Sequence, residues 1–149
     1  MAEFGAGISL VGLHLEDWHF PFYLESSITK DDVGKAVSID TSAANTVKLA
    51  GDGDTVFGRL EVFEDRSGVE GVKVGTVAIK GGVKLPKKTG ETVNVGDTVI
   101  GAGSGEVKAV AAYVDTDGTG DPVVTHSTHD GNNVVVEDLG SDFLAVILK

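Results

Sequence analysis

The sequence predicts an all-β fold, a small single-domain barrel or sandwich of about eight short strands with an extended N-terminal arm. Three observations carry this. Val (23) and Thr (12) outnumber Leu (10), and β-branched side chains suit a pleated surface while losing rotamer freedom in a helix. The 21 Gly recur every few positions, too often for a helix of more than about two turns. Only segments 13–33, 35–50 and 106–117 run a dozen positions or more without Gly; Pro21 breaks the first, and Ser, Thr and Val fill the second.

The elements follow in order. ISLVGLHL (8–15) reads as a strand, and LEDWHFPFYLE (15–25) gathers Trp18, Phe20, Phe22 and Tyr23 around Pro21. Four of the nine aromatics thus sit in six positions. Residues 1–27 read as an arm, dispensable for folding through residue 24, and residues 28–149 as the β-rich domain. VGKAVSID (33–40), TVKLAGDGD (46–54) and TVFGRLEVFED (55–65) are strands with turn signals between them. In the third, Val56, Leu60 and Val62 share one parity and Phe57, Arg59, Glu61 and Phe63 the other, the alternation of a strand with two unlike faces. In VKVGTVAIKG (72–81) the apolar parity switches after Gly75, which predicts a bulge there. Segments 82–103, 105–116, 133–140 and 143–149 supply the remaining strands. Val33-Gly34-Lys35-Ala36-Val37 and Val95-Gly96-Asp97-Thr98-Val99 each place Gly at a strand entrance, which is shared turn chemistry and not a repeat.

Composition narrows the function. Twelve basic against 23 acidic residues give a net charge of −11, which disfavours nucleic acid and anionic membrane surfaces as partners. Cys is absent, excluding disulfides, thiolate metal sites and cysteine nucleophiles. No stretch reaches the ~20 apolar residues of a membrane helix, and the first 17 residues lack the basic region of a signal peptide.

Candidate chemistry is sparse. Asp115-Thr116-Asp117-Gly118-Thr119-Gly120-Asp121 imitates the start of a calcium loop, with Asp115, Asp117 and Asp121 as ligands, but His126 stands where the closing Glu belongs. His126, His129 and Asp130, with His14 and His19, are the other metal candidates, although residues three apart diverge on a strand. Gly101-Ala102-Gly103-Ser104-Gly105 resembles a phosphate cradle yet leads into a strand, where a cradle needs a helix N-terminus. It also lacks the central Ser of a nucleophile elbow. Lys80 sits in a hairpin-like setting similar to that of carrier-domain lysines, without their neighbours. The sequence implies no cofactor, no metal and no enzyme.

Within segment 28–112 stand Ile28-Thr29, Asp32-Val33-Gly34-Lys35-Ala36-Val37, Val47-Lys48-Leu49-Ala50, Asp52-Gly53-Asp54 and Phe57-Gly58-Arg59-Leu60. Gly75-Thr76-Val77, Leu85-Pro86, Gly90, Val95-Gly96-Asp97-Thr98-Val99 and Gly105-Glu106-Val107-Lys108 follow. This set resembles the head decoration, or cement, proteins of tailed bacteriophages. The resemblance implies a structural protein, made in the host cytoplasm, that binds the outer capsid surface of the virion. There it would bridge major capsid subunits as a dimer or trimer. Trp18, Phe20, Phe22 and Tyr23 are the expected partner-binding residues, because aromatics dominate interface centres. The alternative is a carbohydrate- or receptor-binding module with Trp18 and Tyr23 as its aromatic platform.

Overall fold

The computed structural model describes residues 18–111 and 133–149, and the backbone of 113–116 and 122–126. Eleven strands appear among the described residues: β1 (Trp18–Leu24), β2 (Ala36–Ile39), β3 (Thr46–Leu49), β4 (Gly58–Arg66), β5 (Val72–Pro86), β6 (Val99–Gly103), β7 (Glu106–Ala109), β8 (Tyr113–Thr116), β9 (Pro122–His126), β10 (Val134–Asp138) and β11 (Phe143–Leu148). The all-β expectation holds, with more strands than the eight expected and one, β5, longer than expected. The first strand expected from sequence, 8–15, lies outside the described residues.

Five strands close on themselves. The ladder runs β1-β3-β2-β4-β5 and returns from β5 to β1, so β1 has β3 on one edge and β5 on the other. All contacts are antiparallel except β1 with β3. Closure removes the free edges that small sheets otherwise expose. Inside the ring, Leu24, Ile28, Val37, Val47, Leu60 and Val77 are buried together, with Phe22, Phe57, Phe63 and Ile79 packed against them.

Residues 18–24, read from sequence as part of the arm, are therefore a barrel strand and not a detached segment. Pro21 is compatible with this for a specific reason. The amides of Tyr23 and Glu25 donate to Asn45 and Val47 on the β3 side, so by the two-residue alternation the missing N–H of Pro21 falls on that same side, away from β5. Proline is tolerated in a strand where no ladder bond is lost.

β5, fifteen residues long, leaves the barrel and becomes the centre of a second unit. The β1 ladder along it ends at Lys80 and that of β11 begins at Gly81. Beyond this point Val83, Leu85, Val93, Val99, Val107, Val135, Leu144, Val146 and Leu148 form a second core that also takes in Ala36, Ala50 and Ala78 from the barrel wall. The hairpin β6–β7 docks on that wall through backbone. The Gly101 amide donates to Asp54 and the Ala36 amide to Gly105, at 2.8 and 2.9 Å. Ser104 and Gly105, both at positive φ (53° and 76°), make its two-residue turn, as primed hairpin turns require.

Two parity expectations need correction. Gly75 stays in register with Phe22 and Phe63; it is glycine because a Cβ there would lie 2.6 Å from the Val62 carbonyl oxygen and 2.9 Å from Leu60 Cδ1. The bulge sits instead on β4, between Leu60 and Val62. A one-residue slip exchanges the two faces of a strand, so Phe63 packs on the barrel core and Val62, expected to share the side of Leu60, is 54% exposed.

Between β1 and β2, a turn of 3-10 helix at Lys30–Asp32 is held by one carboxylate. Asp32 accepts from the Thr29 amide (2.8 Å), the Thr29 hydroxyl (3.0 Å) and the Lys35 ammonium (2.7 Å). Burial works to raise its pKa, and the hydrogen bonds from Lys35 and Thr29 outweigh it and hold the carboxyl below 3.8. A group depressed in the folded state adds stability above its unfolded pKa, and that stability is lost as pH falls through the folded value. Melting temperature is expected to drop below about pH 4, with Asp54 and Asp138, also depressed, sharing in the loss. Asp32→Asn should flatten this acid limb in a pH series of melting curves; an unchanged slope would remove Asp32 as a contributor.

Candidate protein-interaction site

The aromatic residues of β1 divide by parity. Leu24, Phe22, Phe20 and Trp18 follow one face, and exposure along it rises from 6% at Leu24 to 45% at both Phe20 and Trp18. Phe22 belongs to the core: it packs edge-on against Phe57, ring centres 5.5 Å apart. Phe20 and Trp18 meet edge-on at 6.4 Å where the stripe runs out of the barrel into solvent. Tyr23 has the opposite parity. It is 49% exposed and lines a shallow groove with Pro21, Asn45 and Val74. Of the four expected partner-binding residues, then, Trp18 and Phe20 share a surface, Tyr23 stands on the other side of the strand and Phe22 holds the barrel together.

Beside Trp18 opens a cleft of about 710 Å³. It forms where β5 passes from β1 to β11, which is why Trp18, Lys80 and Lys149 all line it. Its apolar lining comes from Ile39, Val56, Phe57 and Ile79. The segment 54–57 at its base is tied down from two sides. Ser38 Oγ donates to the Thr55 carbonyl at 2.8 Å, and the buried Asn133 Nδ2 donates to the Val56 carbonyl at 2.8 Å. Asp54 bonds the Gly51 amide (2.9 Å) and the Lys48 ammonium (2.9 Å); the hydrogen bond from Lys48 is the main cause of its lowered pKa, and the pair raises that of Lys48. The Lys80 ammonium lies 4.7 Å from the centre of the Trp18 ring, a cation–π contact.

Sequence reasoning singled out Trp18 but missed Ile39, Phe57, Ile79 and Lys149, which come from separate parts of the chain. One signal was available. Residues 18, 20, 22 and 24 alternate with His19, Pro21 and Tyr23 as a strand would, and the central proline obscured it.

The remaining candidates scatter. Asp115 falls on β8, where it pairs with Val124 of β9, while Asp117 and Asp121 lie outside the described residues. His126 pairs with Tyr113 at the far end of that ladder; His19 is exposed on β1; His14, His129 and Asp130 lie outside the described residues. Among the described residues, no three His, Asp or Glu side chains group as a metal site would require. The Gly101–Gly105 run is the β6–β7 hairpin, as its strand context implied.

No protein-family model matches the chain, and no curated protein matches it.

Proposed function

We propose that the protein is a structural, non-enzymatic module that binds the outer surface of a tailed-phage head and bridges major capsid subunits. The observation that carries the reading is the Trp18–Phe20 pair, half-exposed in mutual contact on a strand whose other two same-face residues are core. A closed barrel has no packing need for two large aromatics at its rim, and such residues are the anchors of protein interfaces. A position on the outer face of the virion also suits a chain at −11, since that face does not meet the packaged genome. The resemblance over 28–112 supports the same target.

Undecorated heads incubated with the protein and imaged by cryo-electron microscopy are expected to gain density at capsomer junctions. The double variant Trp18→Ala, Phe20→Ala should abolish it, each anchor contributing about 2 kcal/mol or more. Full occupancy by the variant would rule out this anchor.

The carbohydrate reading requires an aromatic platform. Trp18 and Tyr23 have opposite parity on β1 and share no face, so geometry favours a protein partner. Binding to a glycan array with no binding to heads would reverse that preference. Self-association as a dimer or trimer is also proposed. Sedimentation velocity at tens of micromolar should then show a species above the 15.3 kDa chain mass, and a monomer alone would exclude it.

A further inference from the structure

The polar groups of the cleft beside Trp18 define what it can hold. Ser38 and Asn133 are engaged with backbone carbonyls, and Asp54 with Lys48 and the Gly51 amide. What remains is the neutral hydroxyls of Thr41 and Thr55 and the ammonium groups of Lys80 and Lys149, so the charged groups left over are cationic. All 12 basic residues of the chain lie among the described ones. Six of them form ion pairs there, and Lys73 and Lys88 donate to main-chain carbonyls. Of the four left (Lys30, Lys80, Lys84 and Lys149), two line this one cleft. On a protein of net charge −11, this is a local positive site around an apolar floor.

We propose that the cleft seats an acidic segment of a partner protein. An aromatic or leucine side chain would lie against Trp18, Phe57 and Ile79, with its flanking carboxylates at Lys80 and Lys149. This rests on the reading of the protein as a binder of protein surfaces and adds the chemistry of what it binds. The volume, about 710 Å³, is in the range that holds one large side chain with its neighbouring backbone. Opposite charge at the rim sets register and speeds encounter, while the apolar floor supplies affinity.

Trp18 is the single tryptophan of the chain, so its emission reports on the cleft directly. The capped peptide DDFDD is expected to shift that emission saturably, whereas KKFKK and DDADD should not. Lys80→Glu with Lys149→Glu, both surface changes, should weaken DDFDD at least about tenfold, and about 0.5 M NaCl should weaken it in the wild type. No saturable shift with DDFDD, or equal affinity in the charge-reversed variant, overturns the proposal. So does a shift with an oligosaccharide in its place, or a sedimenting dimer that DDFDD dissociates, which would make a second copy the occupant. Head decoration is measured in parallel. If the charge-reversed variant decorates heads fully, the cleft proposal fails while the capsid reading stands. If the wild type decorates nothing but binds DDFDD, the capsid reading fails alone.

Discussion

A chain that begins at Glu25 is expected not to fold. Its removal of residues 1–24 takes away β1, and with it the pairing with β5 from Trp18 to Leu24 and the parallel contact with β3 that closes the barrel. Two side chains leave the core as well. Leu24 is a buried member of the barrel cluster and Phe22 packs on it; truncation of such residues costs about 2–5 kcal/mol each. Together they approach the whole ~5–15 kcal/mol by which a domain is stable. Circular dichroism should therefore show no cooperative melting transition. Single substitutions sharpen the point, because the stripe on β1 has a dry end and a wet end. Leu24→Ala and Phe22→Ala should each lower the melting temperature by roughly 4–20 °C, taking about 2–4 °C per kcal/mol for a chain of this size. Trp18→Ala and Phe20→Ala, at positions 45% exposed, should lower it by no more than about 2–3 °C. A cooperative transition in the truncated chain would mean that β1 is an appendage, and the anchor residues would then sit on a removable arm.

That expectation reverses what the sequence suggested for the same residues, and the reason is topological. Composition was enough for the class, and local runs of β-forming residues were enough to place β4 and β11 as strands, because both are properties of a few consecutive residues. Barrel closure is not. It depends on Phe20 meeting Val77, a contact between distant parts of the chain that no local pattern records. The bulge between Leu60 and Val62 was equally silent, since it is set by the partner strand and not by the residues that bulge; Val62 and Phe63 exchanged faces as a result. The cleft was illegible for a third reason. Trp18, Ile39 and Ile79 come from three strands and Lys149 follows a fourth, and apart from Trp18 each alone reads as an ordinary core or surface residue. Lys80 drew notice only for an unrelated chemistry. The aromatic cluster was visible as a cluster, but its division into Phe22 in the core and Trp18 and Phe20 at the rim needed a strand where Pro21 argued against one.

Gly101→Ala is expected to be among the most damaging single-methyl additions in the molecule. Gly101 lies on β6, and its main chain exchanges two hydrogen bonds with the turn after β3: its amide donates to Asp54 at 2.8 Å, and its carbonyl accepts from Gly53 at 3.0 Å. A Cβ at position 101 would be driven into the carbonyl oxygen of Gly51, and would lie 3.2 Å from Ala50 Cβ and 3.3 Å from the Asp54 carbonyl oxygen. Those atoms belong to buried or main-chain groups that cannot rotate away, so the hairpin must lift off the barrel wall. The lift strains or breaks both hydrogen bonds, at about 1 kcal/mol each, and adds the ~1–3 kcal/mol of overpacking. The Lys108–Asp52 ion pair, which spans the same junction at 2.6 Å, is surface-exposed on the Asp52 side and compensates little. The total, about 3–5 kcal/mol, corresponds to a melting temperature lower by roughly 6–20 °C. Gly53→Ala is the control. It sits in the same turn at φ 81° with nothing within 4 Å of the added methyl, so only the backbone conformation resists it, at about 1–2 kcal/mol. If the two variants melt together, the glycine run from 101 to 105 is not there for close packing. If Gly101→Ala falls well below Gly53→Ala, the run that imitates a phosphate cradle is explained by the approach of one backbone to another.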